Sequence, residues 1–326
     1  MTRSMLITGA NGFLGGHLAR ALVARGDTVR SLVRPGSDHS ALAGLEHTIV
    51  EGDVTRPDTL GPALEGVDTV FHLAGIRRAT SRDDFIRVNA GGTQLTCEAM
   101  VKAGARTLVL CGSLAASGPS TAERPRVEDD PFAPEEWYGE SKAEAERIAF
   151  SFGDRLRVTS CRPSRIMGPG DHENLTFFKL VKRGIVLRIG GAERRLSMVD
   201  VDDVVAMLLL QADRPEAIGQ AFFCASEQAT TVQAMMEMIA DALGLRARTL
   251  YLPERVLSAA GALADVISDR TGRKLPLNRK LARQLLAPGW VCSIEKAKRS
   301  LGYAPTRSLR ESIDRSAKSY VELGWL

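Results

Sequence analysis

A tyrosine and a lysine stand four positions apart at the start of a strongly helical stretch, as Tyr138 and Lys142 in the segment 137–142, WYGESK. Residues i and i+4 lie on one face of a helix, so both side chains can reach the same ligand. A free phenol ionises near pH ~10 and is a poor base at neutral pH, but a nearby ammonium stabilises the phenolate. The pair therefore predicts proton transfer by Tyr138 supported by Lys142. By itself, such a spacing is more often ordinary helix surface.

A serine follows the apolar run 107–111 after a single glycine, as Ser113. If that run is a strand of a parallel sheet, Ser113 lies at the carboxyl edge, where ligands of such sheets bind. A hydroxyl at this edge can polarise a carbonyl. Taken alone, Ser113 would be a turn residue, and only its combination with Tyr138 and Lys142 favours a catalytic role.

Three glycines follow the first apolar run at the spacing G-x-x-G-x-x-G, in the segment 8–15, TGANGFLG. A dinucleotide pyrophosphate needs a tight turn, a bare backbone and a helix N-terminus. Gly9 and Gly12 suit the first two needs, and Gly15 would let the helix pack close to the sheet. An ordinary glycine-rich turn is the alternative, but the position between strand and helix favours cofactor binding. The expected cofactor-binding residues of this turn are Gly9, Asn11, Gly12, Phe13, Leu14 and Gly15.

Two charged residues at the ends of the next predicted strands bear on which dinucleotide binds. Arg34 stands where an acidic residue would hydrogen-bond the ribose of NAD, and it could instead receive a 2′-phosphate. NADP is therefore favoured, with NAD still open and a surface arginine as the alternative. Asp53 is placed to hydrogen-bond an adenine amino group, or else to cap its own turn.

The elements that position these residues alternate through the first half of the chain. Apolar runs of strand length occupy 5–8, 28–33, 48–50, 69–73, 107–111 and 157–161, with helical stretches between them. This alternation predicts parallel βαβ units, and continuous apolar runs indicate helices on both faces of the sheet. The predicted fold class is α/β, a Rossmann-type doubly wound parallel sheet with a smaller, mostly helical C-terminal substrate lobe.

The pattern changes after about residue 162, where helices are predicted at 231–243, 254–267 and 277–286. A final helix is predicted from Ser308, because Ser308 and Glu311 have the spacing of a capping box. The strand-like run 221–225 could rejoin the sheet. We therefore expect a dinucleotide-binding domain at 1–165, rejoined by about 200–225, and a mainly substrate-binding lobe at 166–326. The basic stretch 270–283 is interpreted as a solvated helical face.

Composition limits the class of protein. The 326 residues are 44% apolar, enough for one large domain and a small lobe. The net charge of +4 is spread along the chain and does not suggest nucleic-acid binding. The five cysteines are scattered without a C-x-x-C pair and are expected to be reduced thiols, with no metal site. No signal peptide and no run of ~18 apolar residues is found, so we expect a cytoplasmic protein without a membrane span.

Together these motifs resemble those of an extended short-chain dehydrogenase/reductase, the group of NAD-dependent epimerases/dehydratases, over nearly the whole length. The resemblance rests on segment 8–15, GDV at 52–54, HLAG at 72–75, Asn89 with GT at 92–93, Ser113, Tyr138, Lys142, RP at 162–163 and GPG at 168–170. It implies a bound nicotinamide cofactor, a small-molecule substrate, a Ser-Tyr-Lys triad and a homodimer. It also implies cofactor-site roles for Val54, Leu73, Ala74, Gly75, Asn89, Tyr138, Lys142 and Pro163. From the residues alone, His72 would be a helix-start or core histidine.

Three chemistries are open within this family. Its dehydratases carry an acidic pair after the catalytic serine or threonine, whereas Leu114 and Ala115 stand here. Its nucleotide-sugar epimerases place an Arg-Asp pair ahead of a Val-Asp-Asp segment, whereas the matching positions here are Leu196 and Ser197, with Arg195 one position off. The C-terminal half resembles dihydroflavonol-reductase-like and 3β-hydroxysteroid-dehydrogenase-like members.

We therefore expect an NAD(P)-dependent enzyme that interconverts a ketone and a secondary alcohol on a relatively apolar small molecule, with Tyr138 as general acid/base. One alternative is a nucleotide-sugar epimerase that acts through a transient ketone. A second alternative is a sensor that binds NAD(P) without turnover.

Overall fold

The first half of the chain alternates strands and helices. A computed structural model describes residues 3–271 and 279–326. The strands of this half are β1 (Ser4–Thr8), β2 (Thr28–Val33), β3 (Thr48–Glu51), β4 (Thr69–His72), β5 (Thr107–Cys111) and β6 (Arg157–Pro163). Its helices are α1 (Phe13–Ala24), α2 (Leu60–Leu64), α3 (Arg82–Phe85), α4 (Gly92–Ala103), α5 (Leu114–Ser117) and α6 (Trp137–Ser151). A π-helical turn, Ile86–Gly91, joins α3 to α4.

The second half contains short strands as well as helices. Its strands are β7 (Arg165–Met167), β8 (Ile185–Ile189), β9 (Arg195–Leu196), β10 (Met198–Asp200), β11 (Ala221–Cys224), β12 (Thr230–Thr231), β13 (Arg248–Leu252) and β14 (Gly289–Trp290). Its helices are α7 (Leu175–Lys182), α8 (Val201–Asp213), α9 (Val232–Ala242), α10 (Glu254–Thr271), α11 (Arg279–Leu286), α12 (Glu295–Leu301) and α13 (Leu309–Glu322).

A seven-stranded sheet in the order β11-β6-β5-β4-β1-β2-β3 forms the larger part of the fold. All its strand pairs are parallel, so the carboxyl ends of the strands lie at one edge. The predicted doubly wound sheet is confirmed. The run 221–225 rejoins the sheet, because β11 pairs with β6 from Ala221 opposite Ser160 to Cys224 opposite Pro163. This pairing also explains why β6 continues to Pro163, beyond the predicted run 157–161.

Helices cover both faces of most of the sheet, as the continuous apolar runs predicted, whereas the edge strand β3 is largely exposed. Met5 and Ile7 of β1 point to a core formed with α1, α8 and α12, whereas Leu6 points to a second core formed with α2, α4 and α6. A third core joins α7, α9 and α13 around Phe178 and Tyr320. The helices therefore pack against both faces of the sheet. The loops that carry the predicted site lie at its carboxyl edge.

The helix predictions for the second half agree with the structure except at their ends. Ser308 accepts from the Glu311 backbone, and the Glu311 side chain accepts in return, so the predicted capping box is confirmed. Of the predicted helix 277–286, residues 277 and 278 lie outside the described part, as do residues 272–278 of the basic stretch. The short strands were not predicted, because elements such as β9 and β12 have two residues each and no apolar pattern of their own.

All five cysteines carry free thiols, as expected from their spacing. No helix within residues 3–271 and 279–326 combines the length and apolar character needed to cross a bilayer.

Candidate active site

The helix that carries Tyr138 and Lys142 is held close to the end of β5 by a glycine. α6 packs against α5, which directly follows Ser113. A Cβ at Gly139 would lie 3.0 Å from the carbonyl carbon of Ala115 and closer still to its oxygen. Only glycine fits this approach, so Gly139 lets the catalytic helix pass beside the segment that bears Ser113. The sequence analysis did not single out Gly139, although its place between Tyr138 and Lys142 is a signal of close packing.

Ser113 is the N-cap of α5. Its Oγ accepts a hydrogen bond from the Ala115 backbone N–H at 3.1 Å. The hydroxyl proton of Ser113 has no acceptor among the residues that the structure describes, so it remains available to a substrate oxygen. The turn interpretation and the site interpretation of Ser113 are therefore compatible.

Lys142 has a buried side chain with only 6% of the residue exposed. Its ammonium makes no hydrogen bond or ion pair within the described ranges, 3–271 and 279–326. Its charge reaches the ends of β4 and β5. Burial, the larger cause, and the charge of Lys142 both lower the pKa of His72. Burial raises the pKa of Cys111, and the charge of Lys142 opposes that rise. A buried cation without a partner is costly unless a ligand needs it.

Asn89 links the loop after β4 to the catalytic helix. Its Nδ2 donates to Ser141 Oγ at 2.8 Å and to the Ile76 carbonyl at 3.0 Å, and its Oδ1 accepts from the Ile76 N–H at 2.7 Å. Ser141 in turn donates to the carbonyl of Tyr138 at 2.7 Å. The π-helical turn carries Asn89, in keeping with the frequent use of such turns at functional sites. Asn89 therefore holds the backbone of α6 at Tyr138 through its hydrogen bond to Ser141.

His72 is a core histidine, bonded at both ring nitrogens. Thr93 donates to the Asn89 carbonyl at 2.7 Å, so it accepts from His72 Nε2 at 3.1 Å. Thr8 accepts from the Ala74 N–H at 3.1 Å, so its hydroxyl donates to His72 Nδ1 at 2.9 Å. Burial and the charge of Lys142 lower the pKa of His72 to about 3. His72 is therefore neutral, and it ties the ends of β1 and β4 to α4.

A buried ion pair fixes the far end of the same face of α6. Glu146 lies one turn beyond Lys142 and accepts from Arg162 Nε at 3.0 Å and from Ser160 Oγ at 2.8 Å. The guanidinium also donates to the carbonyl of Glu128 at 3.0 Å. No local pattern in the sequence predicts this pair, because its partners come from separate elements.

The glycine turn has the geometry that its spacing predicted. Gly9 has φ +70°, and a Cβ there would lie 2.9 Å from the Ala74 backbone. A Cβ at Gly15 would lie 2.7 Å from Ala10 Cα, so Gly15 packs the helix against the turn itself rather than against the sheet. Gly12 is the N-cap of α1, offers no side-chain cap, and leaves a first turn without acidic residues. Such an N-terminus suits an anion.

The side chains of the other residues of the turn contact neighbouring parts of the fold. The Asn11 side chain donates to the Asp38 carbonyl at 3.0 Å. Phe13 packs edge-on against His17, with ring centroids 5.4 Å apart, and Leu14 packs against the first core. This hydrogen bond and these packing contacts hold the turn in place.

Arg34 and Asp53 lie at the far side of the sheet edge, near the ends of β2 and β3. Arg34 is exposed, and its guanidinium has no hydrogen-bond partner among the described residues. Asp53 Oδ1 accepts from the Thr55 N–H at 2.8 Å and from its hydroxyl at 2.7 Å, so Asp53 caps its own turn. Burial acts to raise the pKa of Asp53, but these bonds and the charge of Arg34 lower it overall. Val54, beside it, is buried.

The structure brings most predicted site residues to one edge. Because β1, β4, β5 and β6 are neighbours, the glycine turn, the segment 73–75, Ser113 and Pro163 follow one another along their carboxyl ends. Two residues that the sequence analysis missed flank Tyr138. The Phe85 ring lies 6.3 Å from the Tyr138 ring, and the Arg77 guanidinium lies 5.5 Å from it.

Comparisons with known proteins agree with this arrangement. The sequence profile of the NAD dependent epimerase/dehydratase family matches residues 5–225. The ceramide reductase of Caulobacter vibrioides is 32% identical over 320 residues, which cover 98% of this chain and 95% of that protein. The crystal structure of gox2253 is 27% identical, covers 99% of each chain and has a TM-score of 0.84.

A further solved structure, MoeE5 in complex with UDP-glucuronic acid and NAD, is 25% identical. It covers 98% of this chain and 99% of its own, with a TM-score of 0.77. The chain belongs to the NAD dependent epimerase/dehydratase family and is an enzyme of the extended short-chain dehydrogenase/reductase type.

Proposed function

We propose that the chain is an oxidoreductase that interconverts a ketone and a secondary alcohol on a relatively apolar small molecule. One observation carries the proposal: Lys142, a residue only 6% exposed whose ammonium has no partner among the described residues, lies on the same face of α6 as Tyr138. A charge in such a place is stabilised when a ligand supplies hydroxyl groups and when a neighbouring phenol ionises. Both events occur in the predicted chemistry.

In the proposed mechanism, Tyr138 donates its phenol proton to the substrate oxygen as a ketone is reduced, and removes it when an alcohol is oxidised. Ser113 uses its free hydroxyl proton to bond the same oxygen. Lys142 stabilises the phenolate and holds the ribose hydroxyls of the cofactor. Ser141 and Asn89 keep the helix backbone at Tyr138 in place.

The residues present fit a nicotinamide dinucleotide. Gly9, Gly12 and Gly15 leave a bare turn at the N-terminus of α1 for the pyrophosphate. When bound, the cofactor supplies or accepts the hydride. The guanidinium of Arg34, which is exposed and has no partner among the described residues, supports a preference for NADP over NAD. Asp53 Oδ2, which accepts no hydrogen bond from a described residue, suits the adenine amino group. We also propose cofactor contacts from Asn11, Phe13, Leu14, Val54, Leu73, Ala74, Gly75, Asn89 and Pro163.

The proposed substrate class rests on a relative. The ceramide reductase that resembles this chain over 98% of its length acts, by its name, on ceramide, which is a lipid. We also propose that the second half, 166–326, selects the substrate. The dinucleotide domain, 1–165, would be completed by about 200–225.

A nucleotide-sugar epimerase is the second candidate, because MoeE5 is solved with UDP-glucuronic acid. The residue that would hold the diphosphate is Arg195. Its guanidinium is paired with Glu193 at 2.6 Å on the surface, and Leu196 takes the position of the expected arginine. This arrangement favours the reductase.

The deciding experiment is a spectrophotometric screen of NADPH and NADH oxidation against aromatic, steroidal and long-chain aliphatic ketones, with UDP-sugars assayed separately for epimerisation. We expect oxidation with an apolar ketone. Interconversion of UDP-sugar epimers without net cofactor oxidation would contradict the proposal. Cofactor binding without any turnover would favour the sensor.

A further inference from the structure

Exposed apolar side chains are concentrated in one short part of the chain. Seven of the twelve large apolar residues that are exposed in the described structure fall within residues 245–267. They are Leu245, Leu250, Tyr251, Val256, Leu263, Val266 and Ile267. Single exposed apolar side chains are ordinary, but such a concentration marks a contact surface.

The helix α10 has apolar residues on two adjacent sides, about 100° apart around the helix axis. Leu257 and Ala264 are buried against the protein. Val256, Leu263 and Ile267, spaced i, i+7 and i+11, form an outward stripe, in which Leu263 is 60% exposed. A helix needs only the first side for folding, so the second side is available to something outside the chain.

Basic residues are frequent in the segments that carry and follow this stripe. The segments 245–271 and 279–286 contain seven Arg or Lys and three Asp or Glu, a net charge of +4, which equals the net charge of the whole chain. Two of the three acids are paired within the protein, Glu254 with Arg194 at 2.6 Å and Asp265 with Arg279 at 3.9 Å. The basic residues are Arg246, Arg248, Arg255, Arg270, Arg279, Lys280 and Arg283.

This surface adjoins the proposed active site. α11 packs against α10, and Gln284 of α11 donates to Glu136 Oε1 at 3.4 Å. Glu136 is the N-cap of α6 and precedes Tyr138 by two positions. The helix α11 therefore lies beside the beginning of α6, and α10 packs against α11.

We propose that β13 and the described parts of the helices α10 and α11 form an interfacial patch that binds the surface of an anionic lipid bilayer. An apolar stripe accompanied by basic residues is the pattern that anionic membranes attract. A second copy of this chain fits less well, because a two-fold contact would bring two patches of the same positive charge together. The patch extends the proposed function, since it would place the cleft at the membrane where an apolar substrate resides.

Vesicle co-sedimentation tests the patch without any turnover. We expect the wild-type protein to bind phosphatidylcholine vesicles that contain about 30 mol% phosphatidylglycerol, and to bind phosphatidylcholine alone more weakly. In the variant L263S/I267S, we expect the apparent affinity for the mixed vesicles to fall by at least about tenfold. The matched control V321S/L323S changes two equally exposed apolar residues at the end of α13 and should bind like the wild type.

Two outcomes would overturn the patch: wild-type protein that does not bind the mixed vesicles, or L263S/I267S protein that binds them unchanged. A third contradicting outcome would come from sedimentation velocity: the wild-type protein is a dimer, the L263S/I267S variant is a monomer, and neither binds vesicles. Both variants should retain thermal stability and the wild-type rate with a water-soluble ketone. If no ketone is reduced while vesicles still bind, only the proposed function fails.

Discussion

Glu146 of α6 and Arg162 of β6 form an ion pair whose side chains are 2% and 6% exposed. Arg162 Nη2 donates to Glu146 Oε1 at 2.5 Å, and the guanidinium also stacks on Phe132 at 4.8 Å. Because Glu146 continues the helical face of Tyr138 and Lys142, the pair fixes the catalytic helix to the sheet.

Removal of this pair should destabilise the fold. In the variant Glu146→Gln, the buried guanidinium of Arg162 loses its counter-charge, and we expect a loss of about 3 kcal/mol in the free energy of unfolding, measured by urea denaturation. The control Glu144→Gln removes an exposed partner of Arg147 on the same helix and should cost under ~1 kcal/mol. Equal losses in the two variants would show that burial of the pair is unimportant.

The phenol of Tyr138 is expected to be essential for turnover. Tyr138→Phe keeps the ring against Phe85 but removes the proton donor, so kcat should fall by about 10²–10⁴-fold, while the dissociation constant of the cofactor, followed by fluorescence, stays near the wild-type value. Tyr251→Phe changes an exposed tyrosine and serves as control. Near-normal kcat in Tyr138→Phe would remove the proposed mechanism.

Cofactor choice should depend on Arg34. Arg34→Ala removes the guanidinium proposed to bind the 2′-phosphate, so the KM for NADPH should rise by about 10- to 100-fold, and the KM for NADH should change little. The control Arg56→Ala removes another exposed arginine of this edge, which is already paired with Asp58. A parallel rise in both KM values would contradict a role in phosphate recognition.

The packing around Gly139 is expected to tolerate no larger side chain. A methyl group in Gly139→Ala meets the rigid backbone of Ala115, so α6 must shift, and we expect a loss of about 1–3 kcal/mol in stability together with a lower kcat. Gly61→Ala, at an exposed position of α2 with open space around it, should instead stabilise by up to ~1 kcal/mol. Chemical denaturation of both variants distinguishes packing from helix propensity.

Acid should destabilise the protein through His72. Its pKa is about 3 in the folded state against a reference value of 6.5, so below pH 6.5 the unfolded chain binds a proton that the native state does not. The free energy of unfolding is therefore highest above pH 6.5, and His72 removes about 1.4 kcal/mol for each pH unit below it.

Urea denaturation between pH 7 and 5 measures this slope, above the range in which most carboxylates titrate. His72→Gln should flatten the slope, and His172→Asn, which changes an exposed imidazole, should leave it unchanged. A wild-type slope in His72→Gln would mean that another group controls the acid sensitivity.

Local patterns account for the parts of the molecule that were predicted well. The bounds of β2 and β5 match the predicted runs. For β5 the reason is that a strand buried on both faces is continuously apolar, whereas β2 also contains Arg30 and Ser31. The glycine turn was predictable for a related reason, since its spacing reflects a backbone requirement within eight residues. The catalytic roles of Ser113, Tyr138 and Lys142 stay a prediction that the geometry supports.

By itself, the sequence determined the alternation of strands and helices, the glycine turn and the i, i+4 pair on α6, because each depends on neighbours along the chain. Only the tertiary structure decided that Arg162 pairs with Glu146, that Asn89 reaches Ser141, and that Lys142 is buried without a partner among the described residues. These contacts join residues from separate elements, and no local pattern encodes which distant groups the packing brings together.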